Sequence, residues 1–198
     1  MIEDCTAIIL AGGDSQRMGR DKANILLGEQ TLLQRVIVTM QLIFPRVILS
    51  VRQPRPEIIL PQICDVNSDG GMGTGPLAGL AASLVQITTP WVFAVACDMP
   101  FVSTTTIEYL SQQRAGNQAV VPVVHGHPQP LAAFYASSCL ETIRGHLAGG
   151  GKNSLRAILE RLQVRYVDEA ELLKVDPALR SFLDLDTPQD VALAKSGA

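Results

Sequence analysis

Short runs of apolar residues alternate along the chain with stretches in which apolar residues recur at helical spacing. The runs 6–11 and 91–97 are almost wholly apolar, which is typical of strands buried on both faces of a parallel sheet. Between them, Thr31 is a suitable cap for a helix whose apolar positions continue to Met40, and Pro45 ends it. Further strands are predicted within 46–51, 57–64, 119–124, 131–135, 164–167 and 182–186. Further helices are predicted at 77–84, 103–114, 137–147 and 153–163 and from Thr187 onward.

This alternation predicts an α/β fold with a doubly wound, mostly parallel sheet. The connection between the strands 119–124 and 131–135 is too short for a parallel crossover, so the sequence also predicts a late antiparallel hairpin. No internal repeat or linker is visible in the 198 residues. We therefore expect one domain.

Composition and charge exclude several classes of function. The net charge is −3 and there is no basic tract, so binding to long nucleic acid is not expected. No apolar run approaches the roughly twenty residues of a membrane span, and the acidic N-terminus lacks the charged region of a signal peptide, so we expect no membrane association and a cytoplasmic location. The four cysteines are far apart, which favours free thiols.

A glycine turn followed by clustered cations comes directly after the first strand. Gly12 and Gly13 end the apolar run, and Arg17, Arg20 and Lys22 follow within a few residues. Glycine lets backbone N–H groups approach an anion closely, and the cations add charge. The segment is neither a Walker A loop, which needs Gly-Lys-Ser/Thr, nor the dinucleotide fingerprint Gly-x-Gly-x-x-Gly. It predicts a cradle for a triphosphate.

Acidic residues occupy two further loops. Asp98 follows the strand 91–97, at the edge of a parallel sheet where ligands bind, and its carboxylate is a suitable ligand for Mg²⁺ that bridges phosphates. A turn or cap aspartate is the alternative interpretation. The loop 65–76 contains Asp65 and Asp69 and leads into a helix that begins at Pro76, an arrangement that often borders a ligand site.

Four motifs together carry a family resemblance. They are Leu10-Ala11-Gly12-Gly13 with Arg17, Met18, Gly19 and Lys22; Gly75-Pro76-Leu77-Ala78-Gly79; Cys97-Asp98-Met99-Pro100; and Leu185-Asp186-Thr187-Pro188-Gln189-Asp190. The first motif resembles the signature of many nucleotidyltransferases that activate sugars and cofactors. The combination, over nearly the whole chain, resembles the molybdenum cofactor guanylyltransferases, the MobA-like nucleotidyltransferases with a Rossmann-like fold.

The resemblance implies that the phosphate of molybdopterin attacks the α-phosphate of GTP, that pyrophosphate leaves and that the guanine dinucleotide cofactor forms with the help of Mg²⁺. The nucleotide-binding part would be about 1–102 and the acceptor-binding part about 103–198. Arg17, Lys22 and Asp98 would be catalytic, with Asp98 as the metal ligand. The implied nucleotide-binding residues are Leu10, Ala11, Gly12, Gly13, Arg17, Lys22, Asp65, Asp69 and Asp98. Transient contact with client molybdoenzymes or chaperones is also implied.

Three assignments stay open in the sequence. Either Asp65 or Asp69 could be the acid that contacts the nucleotide, and Asp65 is preferred because it directly follows the apolar segment. Ser50 stands where some members of the family carry a nucleotide-contacting asparagine. Asp184 and Asp186 stand where the family usually has asparagines near the pterin side, and two acids facing an anionic phosphate are unfavourable unless paired, so a structural role is the alternative.

Three rival functions remain. Cytidylyltransferases acting on the same pterin share most motifs but tend to have Leu-Ala-Ala-Gly in place of 10–13, so Leu-Ala-Gly-Gly favours GTP. Sugar-phosphate nucleotidyltransferases use the same chemistry on another acceptor but usually run longer. The third rival is a nucleotide- or cofactor-binding adaptor without turnover, against which the combination of Lys22 and Asp98 argues.

Overall fold

The computed structural model describes residues 1–12, 22–64, 75–150 and 152–196. The strands are β1 Cys5–Leu10, β2 Leu26–Leu27, β3 Gln30–Thr31, β4 Arg46–Val51, β5 Gln62–Cys64, β6 Trp91–Ala96, β7 Ala119–Val124, β8 His127–Pro128, β9 Ala132–Ala136 and β10 Val164–Val167. The helices are α1 Leu32–Ile43, α2 Pro76–Gln86, α3 Thr104–Ser111, α4 Cys139–Ala148, α5 Leu155–Leu159, α6 Glu169–Leu172 and α7 Pro188–Ser196, with 3-10 turns at Lys22–Asn24 and Arg180–Phe182.

The main sheet has the strand order β10-β7-β9-β6-β1-β4-β5. The pairs β1–β4, β1–β6, β4–β5 and β7–β10 are parallel, whereas β9 runs antiparallel to both β6 and β7. The short strand β8 also pairs antiparallel with β7. The mostly parallel sheet and its late antiparallel addition, both predicted from the sequence, are confirmed.

Apolar layers cover both faces of the sheet. Every residue of β1 is buried, as expected for a central strand with parallel neighbours on both sides. On one face, α1 and α3 cover a layer that includes the rings of Phe44, Phe93 and Phe134, with centroids 4.9 to 6.4 Å apart. On the other face, α2, α4 and α5 pack over sheet residues such as Ile8 and Tyr135. The sheet is thus wound on both sides.

Local sequence signals account for most element ends. Thr31 caps α1 as predicted, because its hydroxyl accepts a hydrogen bond from the Gln34 amide. The Gln34 side chain in turn accepts one from the Thr31 amide, which completes a capping box. α2 begins at Pro76 after Gly75, whose φ of +119° favours glycine. Within the described residues no helix is long and apolar enough to cross a membrane.

The prediction of a strand at 182–186 is wrong. The chain leaves a 3-10 turn at Phe182 and passes over the end of β6, where the Leu185 amide donates to the Asp98 carbonyl at 3.0 Å. The alternation of apolar and acidic residues is that of a strand, but the segment pairs with no described strand. The helix predicted at 153–163 is also shorter than expected, since α5 ends at Leu159, and α6 was not predicted.

Candidate active site

The central parallel strands end together at one edge of the sheet. Leu10 of β1 is in register with Ser50 of β4 and Ala96 of β6. Beyond the strands, the Ala11 amide donates to the Ser50 carbonyl at 2.9 Å, and the Cys97 amide donates to the Leu10 carbonyl at 3.1 Å. The residues Ala11 and Gly12 and the loop that carries Asp98 therefore leave the sheet side by side.

Lys22 joins this edge to a distant part of the chain. Its ammonium lies 3.1 Å from Asp98 Oδ2 and also forms an ion pair with Asp186 Oδ1. The side chains of Lys22 and Asp98 are 19% and 17% exposed, whereas that of Asp186 is 48% exposed. The structure thus brings together the predicted residues Lys22 and Asp98, and adds Asp186 from the part of the chain that the sequence assigned to the acceptor.

The two carboxylates keep Lys22 charged. Burial of the ammonium lowers its pKa, but the hydrogen bonds to Asp186 and Asp98 and the attraction of both charges outweigh that effect, so the net pKa of Lys22 is raised. Lys22 is therefore a fixed cation at neutral pH and is suited to offset negative charge, not to act as a general base.

Backbone contacts hold Asp186 in place. Leu185 is buried and its amide is bonded to the Asp98 carbonyl. The Asp190 carboxylate accepts from the amides of Asp186 at 3.1 Å and Thr187 at 2.7 Å, while the Thr187 hydroxyl accepts from the Asp190 amide. Hydrogen bonding from Thr187 lowers the pKa of Asp190. This reciprocal cap starts α7 and fixes Asp186 next to Asp98.

Asp184 adds a third carboxyl group to this edge. Asp184 is exposed at the protein surface, yet neighbouring protein atoms still reduce the hydration of its carboxyl group. This desolvation and the charges of Asp98 and Asp186 raise the pKa of Asp184 to about 7, while Lys22 acts in the opposite direction. The Asp184 carboxyl thus lies close enough to Asp98, Asp186 and Lys22 to interact with their charges.

A stability measurement tests the Asp184 environment. The pKa of Asp184 is higher in the folded protein than in the unfolded chain. Ionisation of this carboxyl therefore lowers the free energy of unfolding as the pH rises from about 4 to about 7. We therefore expect Asp184→Asn to unfold at the wild-type temperature at pH 4 and at a higher temperature at pH 8, in metal-free buffer. Glu29→Gln, at an exposed turn, controls for the loss of one negative charge. An Asp184→Asn variant with an unaltered pH profile would contradict the assignment.

The donor set fits a divalent ion that arrives with phosphates. Asp98 and Asp186 offer hard carboxylate oxygens around one cation position. Among the described residues there is no cluster of three or more histidine, cysteine or acidic side chains able to hold a metal alone. Mg²⁺ usually takes one or two carboxylates and completes its shell with water and substrate phosphates. Asp98, and also Asp186, could therefore hold the ion.

Ser50 places a buried hydroxyl at the same edge. The residue is fully buried, and its Oγ has no hydrogen-bond partner among the described residues. Ser50 lies at the end of β4, between Leu10 and Ile63 in the register. Because a buried hydroxyl is normally satisfied, Ser50 has hydrogen-bonding capacity to offer to a polar partner at this edge.

Several predicted site residues lie outside the described residues. These are Gly13, Arg17, Asp65 and Asp69, together with Arg20. Of the remaining nucleotide-binding residues, Leu10 is buried, and Ala11 and Gly12 are half-buried directly after β1. Sequence reasoning left the role of Asp186 open. The signal that could have found it is its position immediately before the Thr187-Pro188 helix start, where the backbone is fixed by a cap.

The fold and this edge define an α/β protein whose candidate site lies at the carboxyl ends of parallel strands. Residues 7–167 match the family model of the MobA-like NTP transferase domain, and the chain therefore belongs to that family of nucleotidyltransferases. The family predicted from the motifs is thus confirmed.

Individual relatives agree with this assignment over nearly their full length. A molybdenum cofactor guanylyltransferase from Syntrophotalea carbinolica is 32% identical over 93% of this chain and 88% of its own. One from Desulfosudis oleivorans is 30% identical over 96% of this chain and 94% of its own. The crystal structure of molybdopterin-guanine dinucleotide biosynthesis protein A from Archaeoglobus fulgidus superposes with a TM-score of 0.83, at 28% identity, over 96% of this chain and 97% of that one.

Proposed function

We propose that the protein transfers GMP from GTP to the phosphate of molybdopterin. An oxygen of the acceptor phosphate forms a bond to the α-phosphorus of GTP, the bond from that phosphorus to the bridging oxygen of the β-phosphate breaks, and pyrophosphate leaves. The observation that carries the proposal is the Lys22 ammonium held by Asp98 and Asp186 beside the carboxyl end of β1. Relatives named for guanylyl transfer support the choice of nucleotide and acceptor.

The residues have separate roles in this proposal. Backbone groups around Leu10–Gly13 hold the nucleotide, although the Ala11 amide is itself bonded to Ser50, and either Asp65 or Asp69 contacts the nucleotide. Asp98, assisted by Asp186, holds Mg²⁺, which when bound supplies a template and a Lewis acid for the phosphates. Lys22 and Arg17 offset the negative charge that grows on the leaving pyrophosphate. Transfer of this kind requires alignment and charge neutralisation, and no covalent intermediate with the protein.

The division of the chain follows from these roles. We assign the nucleotide to about 1–102 and the acceptor to about 103–198, with Asp186 as a residue of the second part that reaches the first. The reaction would take place in the cytoplasm, and the product would pass to client molybdoenzymes or chaperones by transient contact.

Ser50 supplies a test of the nucleotide pocket. Removing a buried hydroxyl that has no partner costs the folded protein little or stabilises it. We therefore expect Ser50→Ala to unfold at the same or a higher denaturant concentration, while its KM for GTP rises about threefold to tenfold, as for one lost hydrogen bond. Ser83→Ala is the contrasting control, since the Ser83 hydroxyl is satisfied by the Gly79 carbonyl inside α2. An unchanged KM in Ser50→Ala would remove Ser50 from the pocket.

A parallel assay tests the whole proposal. The purified protein is incubated with Mg²⁺ and molybdopterin, and with GTP or CTP, and both pyrophosphate and the dinucleotide product are measured. We expect pyrophosphate release that requires GTP and the pterin. Release with CTP alone would make the protein a cytidylyltransferase. Turnover with a hexose phosphate but not with molybdopterin would establish a sugar-phosphate nucleotidyltransferase, and tight GTP binding without any turnover would establish a binding role.

A further inference from the structure

An exposed guanidinium stacks on an aromatic ring close to the candidate active site. The Arg180 Cζ atom lies 4.6 Å from the centroid of the Phe101 ring. Phe101 is three residues beyond Asp98, is half-buried, and packs with the apolar cluster that contains Leu185. Because Leu185 is also bonded to the Asp98 backbone, the stacked pair lies beside the carboxylate-rich edge.

The segment that carries Arg180 is fixed by buried polar contacts. The Ser181 hydroxyl is 3.0 Å from the Thr106 hydroxyl and accepts from the Ser103 amide at 3.2 Å. The Asp176 carboxylate accepts from the amides of both Arg180 and Ser181. These contacts tie the 3-10 turn to the start of α3. These contacts fix the backbone position of Arg180. Little backbone entropy is therefore lost when a substrate binds to this residue.

The charge of Arg180 is uncommitted within the described residues. No carboxylate of the described residues forms an ion pair with its guanidinium, whereas Arg114 and Arg165 are each paired with an acid. A guanidinium that stacks on a ring keeps its in-plane N–H groups available, and their fork geometry matches a phosphate group. Arg180 thus presents a ready site for an anion.

The proposed acceptor needs such a cation. Its phosphate must approach an edge where Asp98 and Asp186 repel a negative charge, and Lys22 already contacts both of these carboxylates. We propose that Arg180, supported by the Phe101 ring, binds the phosphate of the acceptor and is a positioning and specificity-determining residue for it. This inference rests on the proposed guanylyl transfer, and it assigns to Arg180 a contact with the acceptor and none with GTP.

Kinetics with two varied substrates test this assignment. Wild-type protein, Arg180→Gln, Arg180→Lys and Phe101→Leu are compared with Arg46→Gln, which removes an exposed arginine at the amino end of β4, the opposite edge of the sheet. We expect Arg180→Gln to raise the KM for molybdopterin about tenfold to a hundredfold, as for the loss of a charge-assisted hydrogen bond, with the KM for GTP unchanged. Arg180→Lys should recover part of the loss, and Phe101→Leu should show a smaller increase.

A second readout is independent of turnover. Binding of molybdopterin in the absence of nucleotide, followed by its fluorescence, should weaken by the same factor in Arg180→Gln, and the salt dependence of binding should become shallower because one cation is lost. Equal effects on both substrates, or a variant identical to Arg46→Gln, would overturn the inference while leaving the proposed function intact. Absence of transfer by the wild-type protein would refute the proposed function and this inference with it.

Discussion

Asp98→Ala is expected to transfer GMP at least about a thousandfold more slowly than the wild-type protein. Asp98 and Asp186 both contact the Lys22 ammonium, and the Asp98 carboxylate is the less exposed of the two. In the proposed mechanism Asp98 is the main protein ligand of Mg²⁺. A carboxylate that anchors a metal contributes several kcal/mol of charge stabilisation in the transition state, which corresponds to a loss of this size. Pyrophosphate release under saturating substrates measures it, at Mg²⁺ concentrations raised well above the wild-type requirement.

The fold should survive the Asp98→Ala substitution. The strand register around Asp98 depends on backbone contacts such as the Cys97 amide to the Leu10 carbonyl, which an alanine retains. Far-UV circular dichroism and the thermal transition should therefore match those of the wild-type protein closely. Asp4→Asn, which removes a carboxylate at the opposite edge of the sheet, is the control and should keep full activity. Activity close to wild type in Asp98→Ala would remove Asp98 from the mechanism.

Lys22→Met is expected to lower kcat about a hundredfold to a thousandfold. In the proposed mechanism the ammonium is a fixed charge at the place where negative charge grows, and removing one such group typically lowers the rate by that factor. Methionine keeps most of the apolar length of the lysine side chain. Since the pKa of Lys22 is raised, its charge does not titrate near neutrality, and we expect the same fold reduction at pH 6 and pH 8. Single-turnover measurements separate this loss from slow product release.

Controls make the Lys22 result specific. Lys174→Met removes an exposed lysine and should leave kcat unchanged. Lys22→Arg keeps the charge but alters its geometry, so it should restore only part of the activity. A Lys22→Met variant with the wild-type kcat but a higher KM would mean that Lys22 only binds substrate and does not act in the transition state.

The central part of the fold could be predicted because its signals are local. The strands β1 and β6 are apolar over their whole length, and α1 begins with a capping box that is visible in the sequence. The segment 182–186 misled the prediction because alternating leucine and aspartate occur in strands and also in an extended segment that lies across a sheet edge. Among the described residues, the segment makes one backbone hydrogen bond to the sheet edge, from the Leu185 amide to the Asp98 carbonyl. No local sequence pattern specifies this contact.

The candidate site could be predicted only where residues belong to compact motifs. Lys22 and Asp98 stand in segments with a recognisable pattern, and the structure brings them together. Asp186 is 164 residues from Lys22 in the chain, and its direction depends on the Leu185 contact and the α7 cap. The stacking of Arg180 on Phe101 likewise depends on tertiary packing. Contacts of this range leave no periodic signal in one sequence.

In the protein without substrate, the Lys22 ammonium is the counter-ion of the Asp98 and Asp186 carboxylates. In the proposed mechanism, a divalent metal at Asp98 and Asp186 would compete with an ammonium that the chain already supplies, so the metal alone would be held weakly. A triphosphate changes this balance, because it offers the displaced ammonium a new anionic partner. By thermodynamic linkage, the metal and the nucleotide then raise each other's affinity by the same factor. In that mechanism substrate loading would be an exchange of cations, in which the nucleotide brings the metal with it.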